Sequence, residues 1–393
     1  MFESLNELVL SALVLLAGGV LCLLAAKRLS VHPLLAVALF VWHTILGTYY
    51  SSYVLVHGGD PLEYYMRARF DYVGPSLGTD FIVWITSLPV GLGMPFWPTS
   101  YLYNVLGAAG LIFFAAALQE TGARLRGGGF GSVLLGFFLF MPSLSFWTSG
   151  IGKDAIAFLS VSLFLWSAAA LRRRRVATAI AVLMMLPVRP HVAGLMLIAI
   201  LAGTLVAPNF RASARWAIIA GTAIAAFFAV PLALVYAGST EYVGLGEFIS
   251  DLQTRNTAGG SSVDITQMNP AMRLFTFTYR PLPNEAAGSD QLAASVENLL
   301  LMAVTALALI LVYRAGPLSV FRRFSISATY GCLCLGLLSQ VIANLGLATR
   351  QKWMALPALL FVILGAWQMR VEQRSRERRM SQARFALPAG ARH

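Results

Sequence analysis

The chain has 393 residues, of which 58% are hydrophobic and only 12% are charged, and its formal net charge is +12. A soluble domain of this size carries about twice that share of charged residues. Apolar runs long enough to cross a hydrocarbon layer of about 30 Å recur along the whole length. The composition therefore excludes a soluble globular protein and predicts a polytopic helical membrane protein.

The apolar runs predict an all-α transmembrane helical bundle of about eleven spans. The predicted spans are 5–26, 33–56, 100–119, 130–148, 154–171, 176–188, 192–207, 216–236, 292–313, 324–344 and 353–369. The segment 81–97 is broken by two prolines and two glycines, so we expect it to re-enter the membrane or to lie in the interface. The spans make up a single domain, 1–369, which is followed by a basic cytoplasmic tail, 370–393.

The basic residues predict that the N-terminus lies outside and the C-terminus inside. In this orientation most of the 29 Lys and Arg residues, including Arg172 to Arg175, fall in short inner loops and in the tail. The outer stretches are then 57–99, 149–153 and 237–291, and we expect the last to form a modest, partly helical cap. The positive charge is explained by the role of basic loops in setting the membrane orientation and by contact with anionic lipid. Nucleic acid is not an expected partner, since no binding motif accompanies the charge.

The first outer loop contains two acids, Asp60 and Glu63, directly after the second span. An acid at this position is well placed to act as a general base on a hydroxyl group. The alternative is that Asp60 caps a helix over 61–69, with Pro61 in its first turn.

The stretch FWTSGIGKDAIAF, 146–158, places Lys153 and Asp154 side by side between apolar runs. Gly152 frees the backbone, so the amides at the start of the next helix can point outward beside the lysine. That combination suits a phosphate group. The alternative is a tight helical hairpin in which Asp154 caps the helix.

The stretch MMLPVRPHVAGL, 184–195, places Arg189 and His191 between two apolar half-runs. An arginine at this depth requires an anionic partner, and its guanidinium group matches phosphate oxygens two at a time. The alternative partner is an internal acid: Asp154, Asp60 or Glu63. The alternative for His191 is that it is an ordinary polar group at the membrane interface rather than a ligand-binding residue.

Two further stretches on the outer side carry charges within apolar sequence. Residues 272–300 contain Arg280, Glu285 and Glu297, and Glu297 requires a partner because its span is otherwise apolar. Residues 343–360 contain Arg350 and Lys352, just before the last span. The alternative for both stretches is that short outer loops simply need polar residues.

These charges converge on one predicted face, and we expect them to line one cavity for a pyrophosphate or similar anion. The expected set consists of the basic residues Lys153, Arg189, Arg280, Arg350 and Lys352 and the acids Asp60, Glu63, Asp154 and Glu285. No cofactor and no metal ion is expected, because the chain has no Cys/His metal spacing and no Asp-x-Asp motif.

Three segments resemble landmarks of a known group of membrane proteins. They are PSLSFWTSGIGKDAIAF, TYRPLPNEAAGSDQLAASVENLL and NLGLATRQKWMALPALL. The resemblance is to the polymerase-like proteins of bacterial exopolysaccharide and O-antigen assembly, related in general plan to lipid-dependent glycosyltransferases of the C superfamily. The rest of the chain is similar only as hydrophobic spans.

The resemblance implies a metal-independent glycosyltransferase of the bacterial inner membrane, with its active face in the periplasm. It would polymerise undecaprenyl-pyrophosphate-linked repeat units. Its partners would be this lipid-linked oligosaccharide and membrane lipid, and a chain-length regulator would be a further partner. The implied catalytic residues are Asp60 as base with Arg189 and Arg280 as anion clamps. The implied substrate-binding residues are Lys153, Asp154, Glu63, His191, Glu285, Arg350 and Lys352.

One departure from the family pattern and two further alternatives keep other functions open. The outer loop is modest for a polymerase, which leaves a ligase or a single-sugar transferase that uses a polyprenyl-phosphate donor. A transporter or flippase of lipid-linked sugars is a further alternative, although the middle of each predicted span is almost free of charge. A scaffold subunit without a site of its own is the remaining alternative.

Overall fold

The computed structural model describes residues 4–122, 130–206, 212–237, 253, 261–286 and 288–386. Within these ranges the chain is helical and contains no strand, apart from an isolated bridge between Ser262 and Asn344. The all-α prediction is confirmed.

The helices of the described ranges are numbered α1 to α17. In chain order they are Leu5–Arg28, Pro33–His57, Asp60–Phe70, Thr79–Gly91, Phe96–Glu120, Phe130–Leu139, Pro142–Trp147, Lys153–Ala168, Arg175–Val188, Pro190–Val206, Ala212–Ala237, Pro270–Tyr279, Ser289–Ala315, Pro317–Arg323, Ser325–Val341, Leu345–Gln351 and Leu356–Ala386. Short 3-10 turns lie at Pro283–Glu285 and Lys352–Met354.

Fewer helices than expected are long and apolar enough to cross a membrane. Within the described ranges there are five: α1, α2, α5, α6 together with α7, and α13. The number rises to seven if α14 with α15 and α16 with α17 are each counted as one bent span; the bends are 100° and 52°. The count of eleven spans and their orientation therefore stay predictions.

The segments predicted outside the spans are largely helical. The interfacial or re-entrant segment 81–97 consists of most of the 13-residue α4 and the start of α5. Of the cap loop 237–291, residues 238–252, 254–260 and 287 lie outside the described residues, and the described part contains α12. The first part of the tail, 370–386, continues α17 without a break.

Helix α5 lies at the centre of the bundle and packs against α1, α2 and most extensively α8. Two glycines permit this packing. A Cβ atom on Gly110 would lie 2.7 Å from Cδ1 of Phe158 and 3.1 Å from Cα of Leu159, both in α8. A Cβ atom on Gly107 would overlap the carbonyl oxygen of Thr148. Small residues thus bring α5 close to α8 and to the turn that precedes it.

Ion pairs mark the two ends of the bundle. At one end, Arg174 before α9 donates to Glu120 at the end of α5, at 2.6 Å, and Arg323 contacts Glu372 at 3.3 Å. The opposite end holds the end of α2, the start of α8 and the junction of α9 with α10. The charged residues predicted to face outward are found at this second end.

We expect Gly110→Val to lower the free energy of unfolding by about 1–3 kcal/mol, because the added methyl groups must displace Phe158 and the backbone at Leu159. Thermal unfolding of the purified protein measures the effect. Gly336→Val in α15 is the control, since a Cβ atom there meets no heavy atom within 4 Å. Equal losses in the two variants would contradict the close approach of α5 and α8.

Candidate functional site

Three basic side chains and two carboxylates meet at one end of the bundle, and we call them the ion cluster: Asp60, Lys153, Asp154, Arg189 and Arg350. Arg189 Nη2 donates to Asp154 Oδ1 at 2.8 Å, and Arg350 Nε donates to Asp154 Oδ2. Arg350 Nη1 also donates to Asp60 Oδ2 at 2.5 Å. Asp154 therefore joins two guanidinium groups, and Arg350 joins two carboxylates.

Glycines before two helices direct the acids into this cluster. Helix α8 begins at Lys153 after Gly152, and α3 begins at Asp60 after Gly59; neither helix start has a side-chain cap. The interpretation of Asp60 and Asp154 as caps is therefore wrong, and both carboxylates contact Arg350 instead.

The turn before α8 fits tightly against two tyrosines. A Cβ atom on Gly150 would overlap the ring of Tyr50, and one on Gly152 would lie 3.9 Å from both Arg350 Nη2 and the ring of Tyr64. Burial and the neighbouring Asp60 raise the pKa of Tyr64 to about 12. The tyrosine is therefore neutral at physiological pH and adds no negative charge to the cluster.

Most of the cluster is buried, and one of its buried N–H donors makes no hydrogen bond to a described residue. The side chains of Arg189 and Asp154 are only 9% and 8% exposed. Three basic and two acidic groups leave one net positive charge. Arg189 Nε is buried and donates no hydrogen bond to any described residue, which is costly unless an acceptor reaches it. Lys153 lies within electrostatic range of the other members without a hydrogen bond to a described residue.

Asp60 is the accessible member of the ion cluster, with 43% of its side chain exposed. Together with Glu63 it lines an open cavity of about 330 Å³, whose other walls are Gly59, Leu62 and Met66. A ligand in this cavity could thus contact a carboxylate whose other side is held by a buried arginine.

A second buried network lies beside the ion cluster, and we call it the anchor network: Ser143, Glu297, Asn298, Lys352 and Trp353. Glu297 accepts hydrogen bonds from the Ser143 backbone N–H, at 2.9 Å, and from its hydroxyl group. Trp353 Nε1 donates to Ser143 Oγ at 3.0 Å, and Lys352 Nζ donates to Asn298 Oδ1 at 2.6 Å. The required partner of Glu297 is therefore Ser143.

Arg280 belongs to this second region. Its Nε donates to the two carboxylate oxygens of Glu285 at 2.8 and 3.0 Å, and this hydrogen bonding holds the pKa of Glu285 below its ordinary value. The next residue, Pro281, accepts a hydrogen bond from Asn298 Nδ2 at 3.0 Å. No contact of Arg280 with the ion cluster is found among the described residues.

The five basic residues that were expected to line one cavity fall instead into two groups. Lys153, Arg189 and Arg350 come together, as do Asp60 and Asp154, with Glu63 beside Asp60. Arg280, Glu285 and Lys352 lie in or against the anchor network. His191, at the start of α10, is within electrostatic range of Arg189 and Lys153. The alternative that Arg189 pairs with an acid of the chain itself is confirmed, and the partner is Asp154.

The three segments that carry the resemblance contact one another. Ser143 of the first segment bonds to Glu297 of the second, and Asn298 of the second bonds to Lys352 of the third. Asp154 of the first bonds to Arg350 of the third. Sequence reasoning did not identify Ser143, Asn298 or Trp353 as site residues, because each is ordinary in a membrane protein until its partner is known.

Comparison with protein-family models, with curated proteins and with solved structures finds no match to this chain. Among the described residues, no three His, Cys, Asp or Glu side chains are grouped so that they could hold a metal ion.

We expect Asp154→Asn to lower the free energy of unfolding by about 3–5 kcal/mol, because it leaves two buried guanidinium groups without their shared carboxylate. Thermal unfolding of the purified protein measures the loss. Asp80→Asn is the matched control: its carboxylate pairs with Arg67 at 2.8 Å but is 46% exposed, so we expect a loss below about 1 kcal/mol. A loss of that size for Asp154→Asn would contradict the structural role of the buried acid.

Proposed function

We propose that the chain is an outer-leaflet glycosyltransferase that polymerises undecaprenyl-pyrophosphate-linked oligosaccharides. One observation carries the proposal: a mostly buried ion cluster with one net positive charge contains one accessible carboxylate, Asp60. Such a pairing suits a reaction in which a hydroxyl group loses a proton while a phosphorylated group leaves.

The basic residues have different roles in this proposal. Arg189 retains a buried donor, Nε, and Lys153 retains its ammonium group, so these two would bind the pyrophosphate oxygens. Arg350 is held between Asp60 and Asp154 and would position Asp60. Arg280 is held by both oxygens of Glu285, and we assign it to the positioning of the segment 280–285 rather than to the anion.

The proposed step balances without a metal or cofactor. A hydroxyl oxygen of one repeat unit attacks the anomeric carbon of another, and its proton passes to the Asp60 carboxylate. The bond between the anomeric carbon and the pyrophosphate oxygen breaks, and its electron pair leaves with the lipid pyrophosphate. The charge that develops on that oxygen is stabilised by Arg189 and Lys153.

The choice of sugars as substrate rests on the resemblance of the three segments, and their mutual contacts support the proposal that they form one site. All three supply residues to the two buried networks, and a hydrogen bond or ion pair links each segment to the other two. The outer leaflet as the place of reaction rests on the predicted topology, in which the end of the bundle that holds Asp60 faces outward.

The test is complementation of cells that lack the protein. We expect Asp60→Asn and Arg189→Gln to abolish long polymer on gels of surface polysaccharide, and a single lipid-linked repeat unit to accumulate in the outer leaflet. The leaflet is determined by mass spectrometry of lipids extracted after intact spheroplasts are treated with a sugar-modifying reagent that cannot cross the membrane. Arg67→Gln is the control, because Arg67 is in the same α3 but pairs with Asp71 and Asp80 outside the cluster. Protein amounts are compared by immunoblot.

The outcome separates the alternatives. Normal polymer with Asp60→Asn would contradict the assignment of Asp60 as base. Accumulation of the repeat unit in the inner leaflet would indicate a flippase instead of a polymerase.

A further inference from the structure

A larger cavity, of about 440 Å³, lies along α3 next to the Asp60 cavity. One wall is a single face of α3, formed by Leu62, Tyr65, Met66 and Arg69, which follow one another at helical spacing. Another wall is the turn 93–97 at the start of α5. The volume falls in the range of about 300–1,000 Å³ that is usual for small-molecule sites.

The lining combines aromatic rings with one buried acid. Tyr65, Phe96 and Trp97 contribute rings, with centroids 5.4 Å apart for Tyr65 and Phe96 and 6.1 Å apart for Phe96 and Trp97. Glu7 of α1 contributes a carboxylate although the residue is only 4% exposed, and Arg69 contributes a guanidinium group. One carboxylate oxygen of Glu7, Oε1, accepts a hydrogen bond from the Trp97 backbone N–H at 3.4 Å, which holds the acid against the turn at the start of α5.

This chemistry favours one class of ligand. The C–H faces of a sugar ring pack on aromatic rings, and its hydroxyl groups donate to a carboxylate and accept from a guanidinium group. An isoprenoid or acyl chain would gain nothing from Glu7 and Arg69. A phosphate group could pair with Arg69 but would be repelled by Glu7 in the same lining. A neutral, hydroxylated ring remains as the ligand that uses the whole lining.

The two cavities are adjacent. Leu62 and Met66 line both of them, so the larger cavity lies next to the cavity that Asp60 and Glu63 line. Asp60 and Met66 are six residues apart on α3, which corresponds to about 9 Å along the helix. A sugar chain held in the larger cavity can therefore extend past Met66 and bring a hydroxyl group to Asp60.

We propose that the larger cavity binds a neutral sugar ring of the acceptor, with Glu7 accepting hydrogen bonds from its hydroxyl groups, Arg69 donating to them, and the edges of the aromatic lining in contact with its C–H groups. The assignment of this ring to the acceptor rests on the proposed glycosyl transfer. The binding of a sugar at this place rests on the cavity alone.

The test is saturation-transfer difference NMR on the protein in lipid nanodiscs, because sugar-based detergents would compete. The probes are the methyl glycosides of glucose, galactose, mannose, rhamnose and N-acetylglucosamine, each added separately. We expect at least one probe to bind and Glu7→Gln, which keeps the side-chain shape, to weaken its binding by about tenfold or more, as expected for loss of a hydrogen bond to a charged group.

Met66→Trp is a second variant. It changes an exposed side chain rather than a buried one, since Met66 lies at the mouth of both cavities. The added ring fills the passage and is expected to abolish binding. Tyr72→Trp is the matched control, because Tyr72 is fully exposed and does not line the cavity. Asp60→Asn is expected to keep glycoside binding while polymer is lost.

These results distinguish the sugar site from the proposed reaction. The sugar site is overturned if no probe binds the wild-type protein, or if binding is the same in Glu7→Gln and Met66→Trp as in Tyr72→Trp. If binding depends on Glu7 but Asp60→Asn still makes polymer, the sugar site stands and the proposed reaction fails.

Discussion

The charged end of this bundle depends on one carboxylate, Asp154, which is buried between two arginines. Its partners lie 35 and 196 residues away along the chain, and they belong to the junction of α9 with α10 and to the short helix α16. A buried carboxylate or guanidinium group alone would be strongly unfavourable, so each group is stable there only while the others are present. The mutual requirement fixes three separate parts of the chain against one another at the place where Asp60 is exposed.

The anchor network extends this arrangement to the rest of the bundle. Arg350 and Lys352 lie two residues apart, one in the ion cluster and the other in the anchor network. Because Lys352 is bound to Asn298 of α13, and Trp353 to Ser143 of α7, the turn that follows α16 is held on two sides. The guanidinium group of Arg350 is thereby kept in line with Asp60 and Asp154. Rigid support of this kind is what a proton-accepting carboxylate needs if its oxygen is to face one particular hydroxyl group.

Part of the site could be predicted from the sequence. A charged side chain in apolar sequence is energetically unfavourable without a partner, and this singles out Asp154, Arg189, Arg350 and Lys352. Asp154 was one of three acids considered as the partner of Arg189, but the two pairs of Arg350 could not be predicted, since contacts over 196 or 290 residues leave no local pattern. The alternative that Asp60 and Asp154 are caps is wrong because glycine, not the acid, occupies the residue before each helix. Hydropathy indicated the helices but not the bends of 100° and 52°, which depend on packing.

Helix α3 borders two environments with different electrostatic preferences. The ion cluster carries one net positive charge and attracts anions, whereas Glu7 and Arg69 balance each other in the larger cavity, which offers an anion no net attraction. A lipid-linked oligosaccharide has both an anionic pyrophosphate and neutral sugars, so it gains most when its pyrophosphate lies by Arg189 and its neutral part lies elsewhere. In the proposed reaction this difference orients the two substrates, because a pyrophosphate gains more beside Arg189 than in the larger cavity. Asp60 lies at the boundary between the two environments, where a neutral hydroxyl group and a leaving anion would have to meet.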